Sequence, residues 1–260
     1  MAVAAHGQTA YDVRLDWGGA GARALVADAR PGDVAVVVDV LSFTTTLSVA
    51  LDRGILVHPY PWDAAQSDAY AAARGAVLAV GRRAGREGGG LSLSPASFSD
   101  GRATAGVERV VLPSPNGSSI AFSLADAGVQ VIGACLRNAG AVARRLDMVA
   151  GRICVVAAGE RWPDGSLRPA VEDLWGAGAV LSGLTRGSLS PEASAAVAAY
   201  DAVRGWLGEV LPVCAGGREL VDSGWAGDVE VAAATDVSDV VPVLAGDVFV
   251  NRSGSTGQLV

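Results

Sequence analysis

The chain has 260 residues, half of them apolar and 18% charged, with a net charge of −7. That is enough apolar material for one large α/β domain, or for two lobes (1–115 and 116–260) with the site between them. No apolar run approaches the roughly 18–20 residues that cross a bilayer, and an acidic chain with no basic stripe argues against nucleic acid as a partner. In chain order, a short strand is predicted near Tyr11 to Asp16, followed by strands at Val34–Val40, Ile55–Pro59, Ala76–Gly81, Arg109–Leu112, Val129–Gly133 and Arg152–Ala158. Helical stretches rich in alanine and leucine come between and after them, at Thr44–Arg53, Trp62–Arg74, Ser118–Ala127, Asn138–Val149, Ala170–Leu184 and Pro191–Leu211. Alternation of this kind predicts a three-layer α/β/α fold around a largely parallel, mixed sheet. Near-continuous apolar strands such as VAVVVDV fit a sheet covered on both faces. Gly54 and Gly75 stand at helix C-caps, and Pro191 follows Ser190 as a first-turn proline. The segment from Arg82 to Gly106 reads as a long loop, of a size that is often functional or disordered. From Asp228 onward the pattern gives strand-like Val229–Ala233, Val240–Leu244 and Val248–Val250, closing strands or an edge, and then a frayed tail from Arg252.

The residue types narrow the chemistry. All 20 basic residues are arginine, so neither a Schiff base nor a P-loop lysine is available. Only His6 and His58 are present, and no HxH, HExxH, CxxC or GxSxG occurs, which argues against zinc clusters and serine triads. Cys135, Cys154 and Cys214 are too few and too scattered for a disulfide framework. With no basic region leading into an apolar stretch at the N-terminus, the expectation is a cytoplasmic protein. Carboxylates, hydroxyls, amides and arginines remain. They favour a hard cation such as Mg²⁺ beside an oxyanion. The long helix from Pro191 packs on the sheet or forms a homodimer interface.

Three strand ends share one design. In VVVDVLSFTTT, Asp39 ends an apolar strand, and Ser42, Thr44 and Thr45 lead into a helix whose first N–H groups suit an anion. In VVLPSPNGSSIAF, Asn116 and Gly117 make a sharp bend and Ser118 opens a helix. In ICVVAAGERWPDGSLRPAVEDLWGAG, a helix carries Glu172 and Asp173, which point about 100° apart. In parallel sheets ligands bind beyond the carboxyl ends of strands, where all three segments would meet.

These segments, together with VGRRAGREGG and SLSPASF (80–98) and CLRNA (135–139), resemble the 2-phosphosulfolactate phosphatase family from about Val34 to Leu184. The resemblance implies Mg²⁺-dependent hydrolysis of a phosphate monoester, 2-phospho-3-sulfolactate or a related small phosphorylated acid. Matching positions are Asp39, Arg83, Asn116, Gly117, Asn138 and Asp173. The family pattern has arginine where this chain has Ser42, and glutamate where it has Arg82; Glu87 is a nearby substitute for the glutamate. On this reading Asp39 with Asp173 or Glu172 holds the metal. Arg83, Asn116 and the N–H groups of Gly117 and Ser118 bind phosphoryl oxygens, and Ser42 to Thr45 take the phosphate or another acid group. Attack by water, or a covalent route through Asp39 or Ser118, are both open. The alternatives are a haloacid-dehalogenase-type phosphatase, although Asp39–Val40–Leu41 lacks that family's second aspartate, and a non-catalytic binder of small anions.

Overall fold

A computed structural model describes residues 4–62, 66–99 and 101–254. The strands are β1 (Val13–Trp17), β2 (Val34–Val38), β3 (Leu56–Pro61), β4 (Val77–Leu78), β5 (Arg109–Ser114), β6 (Gln130–Ala134), β7 (Ile153–Ala157), β8 (Glu160–Arg161), β9 (Leu167–Arg168), β10 (Pro242–Ala245) and β11 (Val248–Asn251). The helices are α1 (Gly18–Val26), α2 (Phe43–Asp52), α3 (Ser67–Ala72), α4 (Arg82–Gly88), α5 (Pro95–Ser99), α6 (Gly117–Leu124), α7 (Ala139–Leu146), α8 (Val171–Ser182), α9 (Pro191–Asp201), α10 (Leu207–Val210), α11 (Ala215–Asp222) and α12 (Ala226–Ala233).

Nine strands form one sheet in the order β1-β7-β2-β6-β10-β11-β3-β5-β4, and β8 pairs with β9 apart from it. Strand β2 shows why the fold has three layers. Side chains alternate along a strand, so Val34, Val36 and Val38 enter one core with α7, α8 and α9. Ala35 and Val37 enter the other, with α1, α2 and α6. The expected covering of both sheet faces is met, and strands from either side of residue 115 interleave.

The sheet is less uniform than the alternation suggested. Strands β1, β7, β2 and β6 are parallel to one another, as are β3, β5 and β4. Between the groups lie three antiparallel junctions, β6–β10, β10–β11 and β11–β3, so the second group runs opposite to the first. The hairpin β10–β11 therefore closes the middle of the sheet and is no edge. Its outer junctions are single residue pairs, Val243 with Ile132 and Phe249 with Val57. Such thin joints accommodate the accumulated twist of roughly 20–25° per strand.

Several predicted elements are corrected. The segment after Arg82 holds two short helices, α4 and α5, in place of a long loop. Residues Val229–Ala233 are the end of helix α12, because their period follows the buried Asp228, Val229 and Ala232. The helix predicted over Pro191–Leu211 stops at Asp201, where turns lead to the separate α10. Helix α1 was not predicted, since three glycines in GGAG mask its apolar face. The helix predicted from Trp62 begins at Ser67; residues 63–65, and the tail from 255, lie outside the described residues. Ser190 does cap α9, its Oγ accepting the Ala193 N–H at 3.1 Å. Gly54 and Gly75 have positive φ, as C-caps require. Among the described residues no helix is long and apolar enough to cross a membrane.

Candidate active site

Asp39 follows the last residue of β2 and is buried. Its Oδ1 accepts the N–H of Phe43 at 3.2 Å, and its Oδ2 accepts the N–H of Gly117 at 2.8 Å. Phe43 and Gly117 are the first residues of α2 and α6. One carboxylate therefore sits at the amino ends of two helices, where unsatisfied N–H groups and the helix dipoles favour negative charge. The anion held by these turns is the protein's own side chain. This corrects the expectation that the Gly117 and Ser118 N–H groups are there for substrate oxygens: the Ser118 N–H donates to Ser114 Oγ at 2.9 Å. Burial still dominates Asp39 and raises its pKa to about 6, against the downward pull of Gly117, Phe43 and Arg82.

Asp173, in the first turn of α8, ties two strand ends together. Its Oδ1 accepts the N–H of Val40 at 2.7 Å and its Oδ2 the N–H of Gly159 at 2.8 Å. Burial pushes its pKa up, and the charges of Asp39 and Glu172 push it further. The donors here are oxygens only, and the like charges of Asp39 and Asp173 oppose each other. A hard cation suits that pair, and Mg²⁺ commonly takes one or two protein carboxylates and completes its shell with water and phosphate. Among the described residues no group of three or more His, Cys, Asp or Glu side chains is arranged to hold a metal. Glu172 is engaged elsewhere: its Oε2 lies 3.4 Å from Cys214 Sγ, where burial, and then the Glu172 charge, push the thiol up to about 12.

The Asn116 turn joins this group from β5. Asn116 Nδ2 donates to Glu160 Oε1 across the loop after β7. Glu160 is raised by burial and then by the charge of Asp39. Asn116 and Glu160 line a cavity of about 350 Å³ with Arg23, Arg161, Ser119 and Ser123. On the other side of the turn, Pro115 lines a cleft of about 660 Å³ with Trp62, Arg82, Arg83, Glu87 and Leu93.

Three segments thus meet at Asp39: its own loop, the Asn116–Gly117 turn, and the Gly159–Asp173 region. Other candidate residues lie outside this cluster, Arg83 and Glu87 on the outer wall of the larger cleft. Arg83 is 86% exposed and pairs with Glu87, itself 65% exposed, one helical turn on. It is Arg82 that turns inward. Its Nε donates to Asp228 Oδ2 at 2.8 Å and its Nη2 to Ser42 Oγ. Adjacent helical positions differ by about 100°, so Arg82 and Arg83 point in different directions. Two of the positions that depart from the family pattern, Ser42 and Arg82, touch each other. The Ser118 hydroxyl is buried against the backbone of Tyr60 and Leu112, joining β3 to β5. Asn138 is buried after β6, its Oδ1 on the Cys135 N–H at 2.9 Å and its Nδ2 on Val240 O at 3.1 Å. Thr44 and Thr45 donate to the carbonyls of Asp39 and Val40, shaping the loop.

Arg82, Glu160, Asp228 and Ser94 escaped the sequence reading as site residues. Glu160 lay inside a quoted motif, between the glycine and the arginine of AAGERW. Asp228 carried no motif at all.

Comparisons with known proteins identify the family. A family model described as 2-phosphosulpholactate phosphatase matches residues 22–247. A probable 2-phosphosulfolactate phosphatase of Deinococcus radiodurans is 33% identical over 225 residues, 85% of this chain and 91% of that protein. One of Gloeobacter violaceus is 32% identical over 84% of this chain and 90% of that protein. One of Thermotoga maritima is 27% identical over 83% and 91%. With the match running through every segment that meets at Asp39, this chain belongs to the 2-phosphosulpholactate phosphatase family.

Proposed function

We propose that the chain hydrolyses the phosphate monoester of a small acid, 2-phospho-3-sulfolactate or a close relative, with Mg²⁺. The observation that carries this reading is the buried Asp39 carboxylate at the amino ends of two helices, backed by Asp173 and flanked by Arg82. The relatives' name, 2-phosphosulfolactate phosphatase, supports the substrate class.

Asp39 and Asp173 are the residues that would hold Mg²⁺, whose charge offsets that developing on the phosphoryl oxygens. Arg82, on the wall of the larger cleft, supplies planar N–H donors to those oxygens. Asn116 sits at the turn between the two cavities and orients Glu160. Glu160, facing the smaller cavity with a raised pKa, takes a proton from the attacking water and returns it to the leaving hydroxyl oxygen. The water oxygen bonds to phosphorus as the ester P–O bond breaks. Arg23 and Arg161 give the smaller cavity positive charge for the substrate's other acid groups.

The test is phosphate release from phosphorylated hydroxy acids, 2-phospho-3-sulfolactate among them, with and without Mg²⁺. Asp39→Asn is expected to lose at least about a hundredfold in kcat, the scale of a lost acid–base or metal-holding group. Undiminished turnover in that variant removes Asp39 from the mechanism. Equal rates with and without Mg²⁺ remove the metal.

A further inference from the structure

Arg82 opens α4, and Asp228 stands in the first turn of α12, 146 residues later. The Asp228 side chain is 1% exposed. Both its oxygens are used: Oδ2 accepts Arg82 Nε at 2.8 Å, and Oδ1 accepts Ser94 Oγ at 2.5 Å. With the Nε edge fixed, Nη2 of the same guanidinium reaches Ser42 Oγ in the Asp39 loop. The side chain also lines the 660 Å³ cleft. A guanidinium has five N–H donors, and Asp228 and Ser42 engage two of them.

Arginine loses much rotamer freedom when immobilised. A side chain already gripped at one edge and steered at another avoids that loss when an anion binds. A buried carboxylate is costly unless paired, and Asp228 is paired to Arg82, whose charge reaches Asp39. We propose that Asp228, braced by Ser94, is the positioning residue that holds Arg82 across the Asp39 loop, so that its remaining donors face the phosphoryl oxygens. This deepens the phosphatase reading and rests on it for the identity of the anion.

The experiment titrates inorganic phosphate into the full-length protein by calorimetry, beside KM and kcat for a phosphorylated hydroxy acid. Asp228→Asn and Arg82→Ala are each expected to weaken phosphate binding at least about tenfold. KM should rise by a similar factor, with kcat changed less. The double variant should bind no more weakly than Arg82→Ala alone, because both changes act through one group. Wild-type phosphate affinity in Asp228→Asn overturns the proposal, as do losses that multiply in the double variant. Should Asp228→Asn not fold, Arg82→Lys decides. It keeps the charge but cannot span from Asp228 to Ser42, and wild-type phosphate affinity there overturns the proposal. A wild-type protein that binds phosphate but hydrolyses no ester, with the variants weakened as stated, supports this inference and removes the phosphatase reading. A wild-type protein that hydrolyses esters while binding no measurable phosphate overturns the inference alone.

Discussion

Gly117 shows how tightly the site is specified residue by residue. A Cβ there would lie 2.6 Å from Asp39 Oδ2, 2.7 Å from Asp39 Cβ and 2.9 Å from Phe43 Cδ1. Nothing nearby is the loose end of a surface side chain, so the Asp39 carboxylate itself must move. Gly117→Ala should cost about 1–3 kcal/mol of stability, as overpacking does. It should lower kcat by about a hundredfold, the scale of a roughly 1 Å misplacement. Urea unfolding and phosphate-release kinetics check the two effects separately. Asp39 and the Asn116–Gly117 bend were legible in the sequence, because an acidic residue ending an apolar strand and an Asn-Gly before a helix are local signals. Arg82 was not legible against Arg83. Two arginines side by side are equivalent in sequence, and only the helical phase set by Gly81 and α4 decides which one turns toward Ser42. Asp228 was less legible still, since its role exists only through a contact 146 residues away.

At the scale of elements, close helix contact and a charged clamp hold the frame that carries these residues. Helices α8 and α9 touch through Gly178, where a Cβ would lie 2.1 Å from the Ala196 carbonyl oxygen and 2.6 Å from Tyr200 Cβ. Gly178→Ala must push the helices apart, and about 1–3 kcal/mol of stability should be lost. Because Asp173 rides on the same helix, Asp39-dependent turnover should fall with it; urea midpoints and kcat report both. At the amino ends of β2 and β7, Arg152 bonds Asp33 at 2.6 Å and Asp28 at 2.6 Å. The Arg152 hydrogen bond lowers Asp28 below the ordinary value of 3.8. In Asp33 burial pushes upward, but bonds from Arg152 and from the backbone of Arg152 and Arg30 outweigh it, so its pKa is also lowered. In acid the unfolded chain takes up protons on these groups before the folded chain does. Their stabilisation is complete above 3.8 and disappears as pH falls from there through the lower folded values. Arg152→Ala should therefore lower the urea midpoint at neutral pH and flatten its further fall in acid. A variant whose acid sensitivity matches wild type would show that the clamp carries none of it. Strands and helices of this frame were readable from apolar runs and their periods. The short helices α4 and α5 were not, because so few residues in each face a core that no period is established; in α12 the run Val229–Ala233 is apolar enough to read as a strand.

The whole molecule depends on the β10–β11 hairpin, and its position was the part of the fold least accessible to sequence. Runs at Val240–Leu244 and Val248–Val250 announced strands, but strand order is set by packing between distant segments, and no local pattern separates a central hairpin from an edge. Among the described residues the hairpin is the only joint between two oppositely directed parallel groups within the sheet. Phe249 marks the joint. It is fully buried, pairs with Val57 of β3, and its ring centroid lies 6.2 Å from that of Phe43 in a tilted contact. Phe43 in turn donates its N–H to Asp39. The chain of contact runs from the sheet junction to the carboxylate in two steps. Phe249→Ala should remove about 3–5 kcal/mol, the usual cost of emptying a buried phenylalanine site, against a total stability on the order of 5–15 kcal/mol. Two readouts follow. The urea midpoint should drop steeply, since the two strand groups lose their shared packing. At temperatures where the variant is still folded, kcat should fall as well, because Phe43 has lost the ring that backs it and the Asp39 carboxylate is no longer fixed. Phe249→Leu, which keeps most of the volume, should recover most of both. A variant that is destabilised while its kcat stays at the wild-type value would separate the joint from the site and leave Asp39 held by α6 alone.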